Sequence, residues 1–462
     1  MLFRSWLKDK YRKMKRLAVL NVVGLSQAVL GKYTPFLNEY IKRKGINKID
    51  PVFPAVTTTT QSTYVTGTMP SEHGIVGNGW YDHRDSEIKF WKQSNKLVQK
   101  ESLWTEAKRR NPEFTVAQLF WWYNMYNGVD FSVTPRPNYL ADGRKIPDCY
   151  SHPASLRDEL QEKLGQFPLF NFWGPGADIV SSKWIAEAAK FVETKHQPTL
   201  NLVYLPHLDY CQQKFGPHPD VIGQQLTEID DLLKDLIGFF EEKGVEVLLL
   251  SEYGISPVNN PIHINRLLRN EGYLGIRVER GLELLDAGAS EAFAVSDHQI
   301  AHIYTRSDAT TAKIIELLQG VKGIAHILNK EQQKSFGIDH KRSGDIVLMA
   351  DQNSWFTYYF WLDDAVAPDY ARMVDIHKKP GYDPVEVFMT SKTRAIYKVL
   401  LKKLGFRSVL DVIPLDASLV KGSHGSVEIE KDYFPIIIGD NIPSGDLSPL
   451  SIKELILNKI FS

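Results

Sequence analysis

Four consecutive threonines, Thr57 to Thr60, stand in the stretch FPAVTTTTQSTYVTG (53–67). Ordinary packing does not ask for adjacent hydroxyls. A threonine just ahead of a helix caps it by accepting from a backbone N–H. In the first turn its oxygen faces unbonded N–H groups and the positive end of the helix dipole, which stabilise an alkoxide or a bound phosphate. A free hydroxyl is a poor nucleophile at neutral pH and needs a base or a metal beside it. The ligand candidates are Asp209 in VYLPHLDYCQQKFGP (203–217), with Gln213 four residues on, His424 in GSHGS (422–426), and Glu252 in LLLSEYG. The glycines around His424 let backbone approach a ligand closely. Glu252 follows a buried apolar run, a poor place for a carboxylate without a partner. Brought together at neighbouring strand ends, Asp209, His424 and Glu252 make an oxygen/nitrogen metal site. Taken singly, each reads equally well as a hydrogen-bonded loop residue.

Elements that could position these groups are legible as periodicity. Short apolar runs (LAVLNVV, FTVAQLF, TLNLVYL, VEVLLLS) alternate with helical patterns such as TPFLNEYIKRKG and SSKWIAEAAKFVETKHQ. Such runs indicate a mostly parallel sheet sandwiched by helices, an α/β class, with functional groups at the carboxyl ends of the strands. Leu17 to Val23 reads as the first, buried strand. Between 257 and 420 the character changes: AFAVSDHQIAHIYT and GDIVLMAD alternate like strands, and WFTYYFW is aromatic. This predicts a smaller inserted α+β lobe at 257–420, a core of 17–256 and 421–462, and a basic leader at 1–16. On a strand, His298 and His302 of SDHQIAH share a face and line a cleft, or they serve structure, as do His73, His340 and His377. The aromatic segment 120–143 reads either as a pocket wall or as core.

With 462 residues, 43% hydrophobic, the chain can bury a large core. Fifty-five basic and 55 acidic residues leave no net charge, which argues against a nucleic-acid partner. Two cysteines, Cys149 and Cys211, make no disulfide framework and fit a reducing, cytoplasmic compartment. No run is long enough to span a bilayer, and no cleavage site follows the leader. The leader reads as a solvated helix or tail, with peripheral contact to an anionic membrane as the alternative.

The segment FPAVTTTTQSTYVTGTMPSEHGIVGN resembles the nucleophile segment of the alkaline phosphatase superfamily, in its nucleotide pyrophosphatase/phosphodiesterase-like branch. The resemblance covers nearly the whole chain. It implies an alkaline phosphatase-like fold, two divalent metals, usually zinc, and a phospho-threonine intermediate that water hydrolyses. Counted back from Thr66-Gly67, the nucleophile falls on Thr57, and the usual transition-state asparagine on Thr60. Carried over one by one, the ligands depart from the pattern. Val23 stands at an aspartate position and Gln213 at a histidine position. Ser251-Glu252-Tyr253-Gly254 replaces Ser-Asp-His-Gly; Asp209 and His424 match. Neutral Gln and Tyr are poor zinc ligands. Asn21, two residues before Val23, is not expected to substitute for it. His207 is a substitute candidate if it continues strand alternation with Asp209, binding one metal with Asp209 and His424. The implied function is hydrolysis of a phosphate or related ester of a small organic molecule. Thr57 is then the nucleophile and Glu252 a ligand or base. Thr58 and Thr60 hold the non-bridging oxygens, and the segment near Trp121 and Trp122 accepts an aromatic or apolar leaving group. The alternative is a degenerate relative that binds or carries a hydrophobic or phosphorylated metabolite.

Overall fold

The structure, a computed structural model, describes residues 14–141, 144–406 and 408–462, with the backbone alone at 402 and 403. The leader expected at 1–16 lies outside the described residues up to residue 13. An eight-stranded sheet forms the centre, in the order Ile46–Lys48, Ile436–Ile438, Glu246–Leu250, Leu17–Val22, Leu200–Leu205, Val116–Leu119, Phe131–Pro135, Cys149–His152. The five strands from Glu246–Leu250 to Phe131–Pro135 run parallel, and the outer three pair antiparallel. Every residue of Leu17–Val22 and Leu200–Leu205 is buried, as parallel strands covered on both faces require. Long helices, Ile179–His196 and Gly223–Glu242, pack on the sheet and on each other. The class is α/β, with a mostly parallel sheet flanked by helices.

Register places the site. Asn21 pairs with Tyr204 on one side and Leu250 on the other, so three adjacent strands end level. Each then delivers a turn or helix to the same rim: Val23-Gly24, the helix His207–Phe215, and Ser251-Glu252-Tyr253. The helix Thr57–Thr66 is buried along its whole length.

A second apolar cluster surrounds a four-stranded antiparallel sheet: Ala292–Asp297, Ile300–Thr305, Ile346–Ala350 and Ile324–Leu328. AFAVSDHQIAHIYT, expected as one strand, is a hairpin whose turn carries His298 at φ 60°. The break removes the shared face expected for His298 and His302. His302 instead bonds the carbonyl of Val76 at 2.9 Å, while His298 lies against His424 at 3.7 Å between ring centroids, tilted by 37°. Of the aromatic run WFTYYFW only Trp355 and Phe356 are strand, as the end of Ser354–Phe356. In the segment 120–143, Trp121 belongs to the main core, so it cannot receive a leaving group. Its neighbour Trp122 donates its indole N–H to the carbonyl of Lys92 at 2.8 Å.

Candidate active site

Thr57 is the first residue of its helix, where backbone N–H groups have no helical partner. Val56 precedes it in extended conformation and offers no side-chain cap. The Thr57 hydroxyl lies 3.1 Å from the Tyr253 phenol oxygen, and Thr57 is among the groups that pull the Glu252 pKa down. Thr58, expected to hold a substrate oxygen, is already engaged. Its hydroxyl donates to the carbonyl of Gly77 at 2.8 Å, and its N–H donates to Asn78 Oδ1 at 3.1 Å. Thr60, three residues on and so near the same face, is buried with its hydroxyl unpartnered.

Glu252 is fully buried. Asn21 and Gln61 each donate a side-chain amide to its Oε2, both at 2.8 Å, and its Oε1 has no partner. Burial pushes its pKa up to about 8, against the pull of those amides and Thr57. Asn21 therefore does reach the site, which its strand position did not lead us to expect, as a donor to a carboxyl. Gln61 is oriented in turn by Trp122, whose backbone N–H donates to its Oε1 at 2.6 Å. Gln61 was missed from sequence, although it stands four residues past Thr57, one helical turn along the same face.

Asp209 does not end a strand. It lies in the first turn of His207–Phe215, and Gln213, one turn on, donates Nε2 to Asp209 Oδ2 at 2.9 Å. Tyr382 donates to the other end of that amide, Gln213 Oε1, at 3.0 Å. The Tyr253 hydroxyl lies 3.4 Å from Asp209 Oδ1. Burial pushes the Asp209 pKa up to about 7, partly offset by Gln213 and Tyr253. The helix also corrects the expectation for His207. Residues two apart in a helix point some 200° around the axis from each other. His207 accordingly turns from Asp209 and brings Nε2 to 3.2 Å from Glu228 Oε2. It belongs to no metal site with His424.

His424 joins the group from the loop after Gly422-Ser423. Its Nδ1 bonds the carbonyl of Ala55 at 2.8 Å, which leaves the Nε2 lone pair facing inward, 3.8 Å from Asp209 Oδ1. Tyr253 stacks on the imidazole at 3.6 Å with an 8° interplanar angle. Burial drives His424 down to about 3, so the ring is neutral at ordinary pH.

Asn78 was also missed. It donates its N–H and Nδ2 to the Asp297 carboxyl at 2.8 and 3.1 Å while bonding Thr58. It thereby ties the start of the threonine helix to the smaller sheet. The signal was the run Gly77-Asn78-Gly79, where close backbone approach leaves room for little else.

The two-metal centre implied by the resemblance does not fit these residues. Among the described residues, no group of three or more His, Cys, Asp or Glu side chains could hold an ion. Amide N–H groups occupy the space around both carboxyls: Gln213 at Asp209, Asn21 and Gln61 at Glu252. An amide nitrogen pointing at a carboxylate presents no lone pair to a cation. Asp209 and His424 remain a facing pair, with His424 oriented as metal-ligating histidines are, through its other nitrogen. Two ligands alone are short of the three or four that zinc takes.

Fold and rim define an α/β protein with a threonine at a helix start, one carboxyl just after a strand end and one in the first turn of the helix that follows Leu200–Leu205. Residues 17–383 match the family described as type I phosphodiesterase / nucleotide pyrophosphatase, and the chain belongs to that family. An uncharacterized pyrophosphatase/phosphodiesterase of Schizosaccharomyces pombe is 25% identical over 228 residues, 47% of this chain and 39% of that protein. Ectonucleotide pyrophosphatase/phosphodiesterase 2 of Saccharomyces cerevisiae is 22% identical over 350 residues, 71% of this chain and 61% of that protein. The chain thus matches less than two thirds of the length of either relative. Among solved structures, phosphonoacetate hydrolase from Sinorhizobium meliloti with phosphonoacetate has a TM-score of 0.62 at 16% identity, covering 97% of this chain and 96% of that one. Inactive murine ectonucleotide pyrophosphatase/phosphodiesterase 5 in complex with AMP has a TM-score of 0.57 at 15% identity, covering 96% and 94%. At these identities the two structures speak for the fold.

Proposed function

We propose that this protein hydrolyses a phosphoric or related ester of a small organic molecule, with Thr57 attacking phosphorus. The observation that carries the reading is the position of the Thr57 hydroxyl: at a helix start, 3.1 Å from Tyr253 and next to the Glu252 carboxyl, whose pKa it helps to lower. Family membership agrees with it. Glu252, when ionised, accepts the Thr57 proton as the oxygen attacks. The helix N–H groups and the Thr60 hydroxyl receive the non-bridging oxygens. The ester oxygen leaves with its organic group, and water then releases phosphate from the threonine. Tyr253 and His424, stacked face to face, hold the phenol next to the nucleophile.

The leaving group in this reading is apolar or aromatic. Trp91 and Trp173 both pack against Tyr382, and Tyr382 reaches the site through Gln213. A cytoplasmic setting belongs to the same reading: Cys149 and Cys211 are buried free thiols.

The test is hydrolysis of p-nitrophenyl phosphate, its phenyl diester and a nucleotide ester by the wild type and by Thr57→Ala. We expect the variant to lose at least about a hundredfold in rate. Equal rates in the two proteins would remove Thr57 as the nucleophile. A second reading, a relative that binds its ligand without turnover, is favoured by Val23, Gln213 and Tyr253 at ligand positions. Tight binding of a phosphorylated ligand by a wild type that turns over none of the three esters would decide for it.

A further inference from the structure

The helix Lys392–Lys403 turns an apolar face outward. Ala395 and Lys398 face the body of the protein, with Lys398 3.0 Å from Asp411. Ile396, Leu400 and Leu404 recur every four residues on the opposite side, with Tyr397 beside them. Ile396 is 68% exposed and Leu404 65%, so among the described residues this stripe lies largely open. Phe406, 62% exposed, and Val409, 50% exposed, continue it past the helix end. Exposed apolar residues scattered singly need no explanation, but a contiguous helical stripe marks a surface that meets something.

Charge identifies what it meets. Residues 389–412 carry six basic residues (Lys392, Arg394, Lys398, Lys402, Lys403, Arg407) against one acidic residue, Asp411. The whole chain, by contrast, balances 55 against 55. Arg394 and Lys398 share that one Asp411, at 2.6 and 3.0 Å. Lys214 lies close by, its ammonium 5.7 Å from the Phe388 ring. Burial and then the charge of Lys392 hold Lys214 below its ordinary pKa, as expected where cations crowd without enough counter-charge. An apolar stripe edged with cations is the pattern of a helix lying in the interface of an anionic bilayer. A partner protein of ordinary surface would satisfy the stripe and leave the excess positive charge unmatched. No helix among the described residues is long and apolar enough to cross a membrane, so contact of this kind is peripheral.

We propose that the segment 392–406 docks the protein on an anionic lipid surface, with Ile396, Leu400, Leu404 and Phe406 entering the interface and Lys392 and Arg394 meeting lipid phosphates. Phe215 and Lys214 end the helix that carries Asp209 and Gln213, and Lys214 sits over Phe388 just ahead of this segment. Docking there would set the threonine site close to the membrane plane.

The test is co-sedimentation of the full chain with two vesicle preparations, phosphatidylcholine alone and phosphatidylcholine with about a third phosphatidylglycerol. We expect at least about tenfold stronger partition to the anionic vesicles, weakening as salt rises. We expect the double variant Leu400→Glu, Leu404→Glu to lose it by a similar factor while its unfolding midpoint stays at the wild-type value, because both side chains face outward. A protein that partitions to neither preparation overturns the proposal, and so does a double variant that binds like wild type. If the lipid-free protein sediments as a dimer that the same variant dissociates, the face is an interface between two copies and the proposal falls.

Discussion

Gln213 stands one helical turn beyond Asp209 and donates its amide to that carboxyl across 2.9 Å. The same space would otherwise be open to a cation. Tyr382 fixes the amide from behind by donating to its oxygen, so the nitrogen stays turned toward Asp209. We therefore expect the wild type, after exhaustive dialysis against zinc, to retain well under one equivalent by elemental analysis. Gln213→His adds a third ligand beside Asp209 and His424 and should raise zinc affinity by at least about tenfold. A wild type that holds two equivalents would contradict the fit drawn here.

Glu252 depends on its donors. Asn21 and Gln61 both bond its Oε2, and all three side chains are buried. Asn21→Leu leaves the carboxyl with one donor fewer in an apolar setting and should cost about 1–3 kcal/mol by urea denaturation. Pairing it with Glu252→Gln should restore part of that loss, because the neutral amide asks less of its surroundings. Equal losses in the single and double variants would show that the Asn21 contact is not what Asn21 contributes.

Asn78 ties the threonine helix to the smaller sheet through Thr58 and Asp297. Asn78→Ala removes both side-chain bonds and strands buried partners. We expect a loss of about 2–3 kcal/mol in stability, with hydrolysis reduced as well because Thr57 loses its anchor one residue away. A variant of unchanged stability would mean that the two sheets hold each other without this bridge.

Two buried histidines set an acid limit. His73 accepts the N–H of Ile75 at Nδ1 and lies 3.0 Å from Thr63 Oγ1 through Nε2, and His302 accepts the N–H of Gly344 at Nδ1. A ring that accepts at Nδ1 is neutral, and burial holds His73 down to about 3 and His302 to about 4. A histidine whose folded pKa lies below its unfolded value of about 6.5 contributes its stability fully above that value. The contribution is lost as pH falls from there toward the folded pKa. Between pH 7 and pH 4.5, His73 alone should account for ~2–3 kcal/mol. Asp297, pushed up to about 7 by burial, acts in the opposite sense, losing its contribution as pH rises through that value. The check is the urea midpoint at pH 7 and pH 4.5 for the wild type and His73→Asn, whose Oδ1 can still accept from Ile75 but cannot titrate. The variant should show the smaller drop.

The central sheet was legible because its parallel strands are continuous apolar runs, and LAVLNV and LNLVYL are buried at every position. Thr57 was singled out by the resemblance of its segment, counted back from Thr66-Gly67; the four threonines alone do not say which of them starts the helix. The rest depended on contacts between distant segments. Asn21 and Gln61 lie 231 and 191 residues from Glu252, and no local pattern announces that they meet it. His207 was misjudged because the strand ends at Leu205, and a helix beginning two residues later reverses which neighbours share a face. The hairpin turn at His298 was hidden for a similar reason: Asp297-His298-Gln299 carries neither glycine nor proline, and the apolar alternation runs on through it.

The most direct measurement is the covalent state of Thr57 during turnover. Wild type mixed with p-nitrophenyl phosphate, quenched in acid within the first turnover and digested, is analysed by mass spectrometry of the peptide that holds Thr57 to Thr60. The account predicts one added phosphoryl group on Thr57, absent from Thr57→Ala. A protein that releases nitrophenol while Thr57 stays unmodified, and whose Thr57→Ala variant releases it as fast, would contradict the account.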